Sequence, residues 1–407
     1  MTMALSCKDA LGAFDKGEVV DIASQSARIK SYSGDEAEIA QWTADFMSDL
    51  GLAVSRKEVA PRRFNAIGTW RGRGNGRSFM YNGHMDTNPA GEGWTRDPLG
   101  GESDGEFVYG IGICNMKAGN ASALHAVSML KSAGFEPAGD IILAFVHGEL
   151  QGGVGTVRML ESGVRADYFI VGEPTELTLL TRHSASFVFE ITVLGKTRHL
   201  SKREEGVDAI VAAERLLPRL RALTFSGAGS EEDKSLNRIN IGVIRGGVSR
   251  ALFDWRPQQL ADVCVLKCAG RFGPSQNLAH AMKDIQALLD DVTRGDPTFN
   301  AELRLVEENR IFMPPFQVDH DAVPVRAVEE AHKAVTGKAP KIGMHTPARF
   351  FGSDAAHLAK AGMTGLLYGP GGKFNTMPDE RVSIGEMEVA AKVYAATMFN
   401  IAGAPLQ

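Results

Sequence analysis

Two side chains two positions apart, His84 and Asp86, close an apolar-rich run that reads RSFMYNGHMDT over residues 77–87. On a β-strand, residues i and i+2 face the same side, so at a strand end both would project beyond the sheet. An imidazole beside a carboxylate is a common arrangement at a bound metal, because the carboxylate fixes the ring's tautomer and orientation. A strand carrying a hydrogen-bonded surface histidine accounts for the same pair, and H-x-D alone does not separate the two. Downstream, two apolar runs, 140–147 and 167–171, empty into the polar loops GELQGGVGT and GEPT, each with a glutamate.

Composition narrows the function classes. A chain of 407 residues is too long for one ordinary domain and comfortable for two. With 44% apolar and 23% charged residues it is an ordinary globular profile. Net charge is −5 and no basic block occurs, which argues against nucleic acid as a partner. No apolar run is long enough to span a bilayer, so no membrane partner is expected. Cys264 and Cys268 lie four apart without a second pair, and Cys7 and Cys114 stand alone. The four therefore read as reduced thiols rather than a zinc site. The N-terminal twenty residues have no signal-peptide pattern, and the cytoplasm is the expected compartment.

The elements that must position the polar loops follow from periodicity. Residues 8–57 read as helices. Within them 35–50 shows near-helical apolar spacing and an acidic first turn, with Gly51 as C-cap. FNAIGTW and the run into His84 flank RGRGNGR, which predicts a hairpin turn. The Gly-x-Gly-x-Gly at 72–76 is not a dinucleotide fingerprint, because no helix follows it. A helix over 116–132, a non-alternating strand over 140–147, a helix over 156–162 and a strand over 167–171 complete the order of an α/β sheet. In such sheets ligands collect beyond the strand ends. Near residue 180 the texture changes. SFVFEITVL at 186–194 alternates as in a half-exposed antiparallel sheet. A helix over 207–223, strands over 239–244 and 261–268 and a helix over 278–292 suggest a separate α+β domain. After one more strand over 297–305 the α/β texture returns, with helices over 322–336 and 384–401. The expected division is 1–180 and 296–407 as one α/β domain, interrupted by 181–295.

Together the loops resemble the dinuclear-zinc hydrolases that include acetylornithine deacetylase, succinyl-diaminopimelate desuccinylase, aminoacylase and carboxypeptidase G. The matching pieces are GHMDT, GWTRDPLGG, DGEFVYGIGICNMKAG, GELQGGVGT, VGEPT, GKTRHLSKREEGVDAI, IGVIRGG, GSDAAH, YGPGG and PDERVSI. They occur in the family's order over about residues 60–395. The resemblance implies a zinc-peptidase-like α/β catalytic domain with an inserted α+β lid that forms a homodimer. It also implies hydrolysis of a C–N bond, for which metal supplies a hydroxide near neutral pH and a site for the developing oxyanion.

Carried over residue by residue, the resemblance makes His84 the first metal histidine and Asp86 its supporting carboxylate. Glu149 matches the general acid/base, and Glu173 the remaining carboxylate ligand of the first metal. The bridging carboxylate falls on Asn115, which offers one neutral oxygen. The second metal's glutamate falls on Leu150, which has no ligand atom, and its histidine falls at or next to Asn375. The implied site is a single metal held by His84, Glu173 and Asn115. The resemblance leaves open one zinc or manganese ion or none, and argues against a co-catalytic pair. His199 matches a lid histidine that reaches the partner subunit's site and steadies the oxyanion. Arg250, Arg271, Arg349 and Asn375 are candidate substrate contacts, each arginine weighed against a structural ion pair or a solvated side chain. His147 and Asp354 read more readily as structural. His183 and His345 are minor candidates, and Cys114 is a poor nucleophile for want of a neighbouring cation other than Lys117. The leading expectation is a C–N hydrolase, deacylase or deaminase in type, acting on a small carboxylate-bearing substrate. Two others remain: a metal-independent lyase, isomerase or condensing enzyme using Glu149, and a non-catalytic ligand-binding homologue.

Overall fold

The computed structural model describes residues 6–253 and 257–405. It divides into two compact units: 1–182 with 316–349 and 353–407, and 183–315 with 350–352.

The first unit is built on a mixed eight-stranded sheet. Its spatial order is Ala53–Ala60, Arg63–Trp70, Ile141–Val146, Phe79–His84, Tyr168–Val171, Thr364–Leu367, Leu179–Leu180 and Ile342–Gly343. Strands Phe79–His84 and Ile141–Val146 are buried along their whole length, and both lie inside the sheet as parallel neighbours. That is why their sequences are apolar runs rather than alternations. Helices Ala118–Ser132 and Ile384–Ala402 are buried nearly all round, and the Ser122 hydroxyl on one donates to the Met387 carbonyl of the other. A stack of Tyr81, Tyr394 and Tyr368 fills the centre, with edge-on ring centroids 5.2 and 6.0 Å apart.

Two local expectations fail here. RGRGNGR is not a hairpin turn, because Ile141–Val146 lies between Arg63–Trp70 and Phe79–His84 and pairs with both. The glycines instead let the loop lie against the 137–140 backbone: Arg73 N–H donates to the Pro137 carbonyl, and Gly74 N–H to that of Ala138. Residues 53–57 are strand rather than helix. Ala53–Ala60 is an edge strand paired in register with Arg63–Trp70, and its charged, exposed side chains are how an edge strand avoids further pairing.

The second unit is a four-stranded antiparallel sheet in the order Arg238–Gly247, Val263–Arg271, Phe187–Leu194, Asn300–Leu305. Alternate residues Phe187, Phe189, Ile191 and Val193 are buried in a core with helix Leu278–Gly295 and the helices Ala209–Glu214 and Leu216–Ala222. The unit runs on to Pro315, past the boundary expected at 295/296, because Asn300–Leu305 pairs with Phe187–Leu194 from Asn300↔Leu194 to Leu305↔Phe189. Phe350 joins it through its carbonyl, which accepts from Arg271 Nε at 2.9 Å, and its ring, which lies under the Arg238 guanidinium.

Candidate active site

Three neighbouring parallel strands end at one sheet edge in matched register, with His84 opposite Val146 and Asn82 opposite Val171. His84 is the last residue of its strand. Glu149 follows Val146 by three residues, on the short turn Glu149–Gln151. Glu173 follows Val171 by two. One ligand atom from each of His84, Glu149 and Glu173 lies within 4.8 Å of the others, and all three residues are buried. Gly172 is needed beside Glu173, since a Cβ there would overlap the Tyr81 hydroxyl.

Asp86, fully buried, organises this edge. Its Oδ1 accepts the Glu149 N–H at 3.0 Å; its Oδ2 accepts the Leu150 N–H at 3.2 Å and the Ser33 hydroxyl at 2.8 Å. Its backbone carbonyl lies 2.9 Å from His84 Nδ1, and its carboxylate lies 3.7 Å from the same atom. With the proton on Nδ1, the Nε2 lone pair points to Asn115 Oδ1 at 3.1 Å and Glu173 Oε1 at 3.9 Å. Two acceptors face each other there. They are complementary only if Nε2 is protonated, the Asn115 amide turns its nitrogen inward, or a cation lies between them. Glu173 Oε1 is buried without a hydrogen-bond partner among the described residues.

Electrostatics reflect the crowding of acids. Burial raises the Glu173 pKa strongly; His84 opposes the rise and Asp86 adds to it. Burial also raises that of Asp354; His84 and the Thr156 hydroxyl oppose the rise, and Glu173 and Asp86 add to it. For His84 burial works against protonation, but Glu173 and Asp86 outweigh it and its pKa is raised. A divalent cation would relieve this excess of buried negative charge. One imidazole and two carboxylates form a donor set suited to zinc or manganese, and the orphaned Glu173 oxygen is an available ligand atom. The residues present therefore fit a divalent ion.

The other candidates are distributed as follows. Asn115 sits in the cluster, its N–H and that of Cys114 accepted by Glu380 Oε1 at 3.2 and 2.8 Å. Burial pushes Glu380 up to about 7. Asn375 accepts the Thr376 hydroxyl at 2.8 Å. His147 is buried, with Nδ1 2.8 Å from Asn65 Oδ1, and burial pushes it down to about 4. Burial raises the Cys114 thiol well above its usual range. His345 faces Glu176 at 3.4 Å. Arg349 is half-buried in the turn Ala348–Phe350.

Three residues belong to the second unit. His199 is exposed and caps the turn Leu200–Glu205, with Nδ1 2.9 Å from Ser201 Oγ. Arg250 is exposed and grips both carboxylate oxygens of Glu302, at 3.0 and 2.9 Å. Arg271 donates to the Phe350 carbonyl and the Ser186 hydroxyl. Both arginines thus have protein partners: Arg250 was weighed as a solvated side chain and pairs with Glu302, and Arg271 was weighed as an ion pair and bonds neutral oxygens.

Sequence reasoning did not single out Ser33 or Glu380, and Asp354 was expected only to orient a loop. Glu380 lies within PDERVSI, so its motif was a signal; Ser33 carried none. The resemblance separates Glu149, as base, from the metal ligands; in the structure its carboxylate lies within 4.8 Å of a ligand atom on each of His84 and Glu173.

The model of "Peptidase family M20/M25/M40" matches residues 80–400. N-formyl-4-amino-5-aminomethyl-2-methylpyrimidine deformylase from Bacillus subtilis is 25% identical over 383 residues, covering 87% of each chain. Acetylornithine deacetylase from Myxococcus xanthus is 27% identical over 343 residues, covering 80% of this chain and 78% of its own. Among solved structures, the dipeptidase Dug1p from Saccharomyces cerevisiae superposes with a TM-score of 0.82 at 14% identity, over 99% of this chain and 100% of its own. The carboxypeptidase Sso-CP2 from Sulfolobus solfataricus gives 0.77 at 16% identity, over 95% and 99%. At these identities the structural likenesses establish the fold.

Proposed function

The chain belongs to the peptidase family M20/M25/M40, and from that premise we propose that it hydrolyses a C–N bond in a small carboxylate-bearing substrate, using one metal position rather than two. The observation that carries this reading is the convergence of His84, Glu149 and Glu173 at the carboxyl edge of three parallel strands. Deformylase and deacetylase relatives support an N-acyl substrate.

His84 and Glu173 would hold the ion, with Asn115 lending its carbonyl oxygen; bound there, a divalent cation supplies an acidified water and a polarised carbonyl. Leu150 carries no ligand atom and Asn115 no charge, which is why we assign a degenerate, single-metal site. Glu149 takes the proton of the attacking water on its carboxylate and returns it to the leaving nitrogen. Asp86 holds Glu149 in place through the backbone N–H groups of Glu149 and Leu150. Arg349 clamps the substrate carboxylate. His199 of a second copy steadies the oxyanion, so that residues 183–315 act as lid and dimerisation domain. The outer edge of Arg238–Gly247, unpaired among the described residues, and the exposed Val243, Ile244, Ile210 and Val211 support the homodimer. Among the described residues no helix is long and apolar enough to cross a membrane, and the four unpaired cysteines support a cytoplasmic location.

The test is metal analysis joined to turnover on an N-formyl and N-acetyl panel. The reading expects one equivalent of zinc or manganese, loss of turnover on chelation, recovery on readdition, and an inactive, folded Glu149→Gln. Full activity in metal-free protein, or in Glu149→Gln, overturns it.

A further inference from the structure

Where the family resemblance implies a second metal, this chain has a cavity of about 230 Å³. It shares Asn115 with the cluster and is lined by Leu150, the residue after Glu149. Its apolar wall is completed by Trp94, Ile111, Met377 and Pro378. Met377 is 43% exposed, a large apolar side chain left in solvent beside the cluster. Glu380, the one titratable residue among the described residues of the lining, has its Oε1 occupied by the Cys114 and Asn115 N–H groups. An exposed apolar wall next to a polar centre is the usual form of a small-molecule pocket: the apolar area binds and the few polar groups orient. An apolar cavity of about 150 Å³ accommodates a benzene ring, so this one has room for a ring with a substituent.

We propose that this cavity is a substrate subsite for a neutral, apolar group of about one ring, attached beside the scissile C–N bond. The inference rests on the hydrolase reading and names its substrate class. Leu150 is then a specificity residue: the methyl groups that cannot ligate a metal pack against the ring instead. A carboxylate at 150 would put a charge against that ring and remove the preference.

Hydrolysis of N-acetylglycine is compared with that of N-acetylphenylalanine and N-benzoylglycine, which place a ring on one side or the other of the amide. One ring-bearing substrate should exceed N-acetylglycine in kcat/KM on the order of 10- to 100-fold. Leu150→Glu, shown folded by circular dichroism, should abolish that preference, and Leu150→Met should retain it. Separately, benzyl alcohol should perturb tryptophan fluorescence where methanol does not, and the signal should vanish in Trp94→Phe. If no amide is hydrolysed, the hydrolase reading fails, while ring binding that Leu150→Glu removes still supports the subsite. If amides are hydrolysed without ring preference, or Leu150→Glu keeps the preference, the subsite is overturned and the hydrolase reading stands.

Discussion

Replacing Asp86 by Asn removes one charge and one acceptor from a fully buried site while keeping its volume. In the wild type the carboxylate accepts from the backbone of Glu149 and Leu150 and from the Ser33 hydroxyl. Asn retains one oxygen and turns an NH2 toward a group that is itself a donor. At least one backbone bond is lost and the other loses its charge assistance. Hydrogen bonds to charged groups contribute about 1.5–3 kcal/mol each, so the loop loses about 3 kcal/mol of anchoring. If that anchoring is what keeps Glu149 in position, kcat falls on the order of 100-fold. KM changes little, because Glu149 acts in proton transfer and not in ground-state binding. Ser33→Ala leaves both backbone bonds intact and should lower kcat less than about tenfold, from a loss of about 1 kcal/mol. The assay is steady-state kinetics at saturating metal, with circular dichroism and melting curves to verify the fold. A folded Asp86→Asn whose kcat stays within about threefold of wild type refutes the positioning argument, as does an equal loss in Ser33→Ala.

Gly153 has φ +85°, and a Cβ there would meet Asp354 Oδ1 at 2.6 Å and His357 Cδ2 at 2.7 Å. Gly153→Ala should therefore destabilise by about 2–4 kcal/mol, seen as a lower Tm. His332 is buried with Nδ1 2.8 Å from the Tyr368 hydroxyl, and burial lowers its pKa below the ordinary 6.5. The unfolded chain takes up that proton more readily, so the contribution is intact above pH 6.5 and lost as pH falls. His332→Gln should flatten the fall in Tm between about pH 6.5 and 5; an unchanged slope would show that other groups dominate. The exposed Arg250–Glu302 pair contributes about 0–1 kcal/mol. Arg250→Ala should leave Tm and kcat/KM nearly unchanged, and a marked rise in KM for carboxylate substrates would instead reveal a substrate contact.

How much was legible depended on whether the controlling interaction was local. Helices 37–49, 278–295 and 384–402 were readable from spacing and end signals, because helical hydrogen bonds run between near neighbours. The edge strand Ala53–Ala60 was not, since its charged, exposed face looks like a helix surface until its partner Arg63–Trp70 is known. The end of the second unit was misplaced because the pairing of Asn300–Leu305 with Phe187–Leu194 spans more than a hundred residues. Arg250 was weighed between a substrate contact and a solvated side chain, and its pairing with Glu302, 52 residues away in number (302 − 250), carried no sequence signal.

The chain by itself determined its family and the side chains available for chemistry. Those depend on residue type and order: an imidazole at 84, carboxylates at 86, 149 and 173, and no ligand atom at 150. Tertiary structure alone decided what these residues are to one another. Parallel strands in matched register bring His84, Glu149 and Glu173 together from positions 89 residues apart in number at the extremes (173 − 84). The same packing makes Asp86 a clamp for the Glu149 turn and aligns Leu150 with Trp94 and Met377 around one cavity. Strand pairing and loop closure are non-local, and the energies that select them are set by burial, which no short stretch of sequence records.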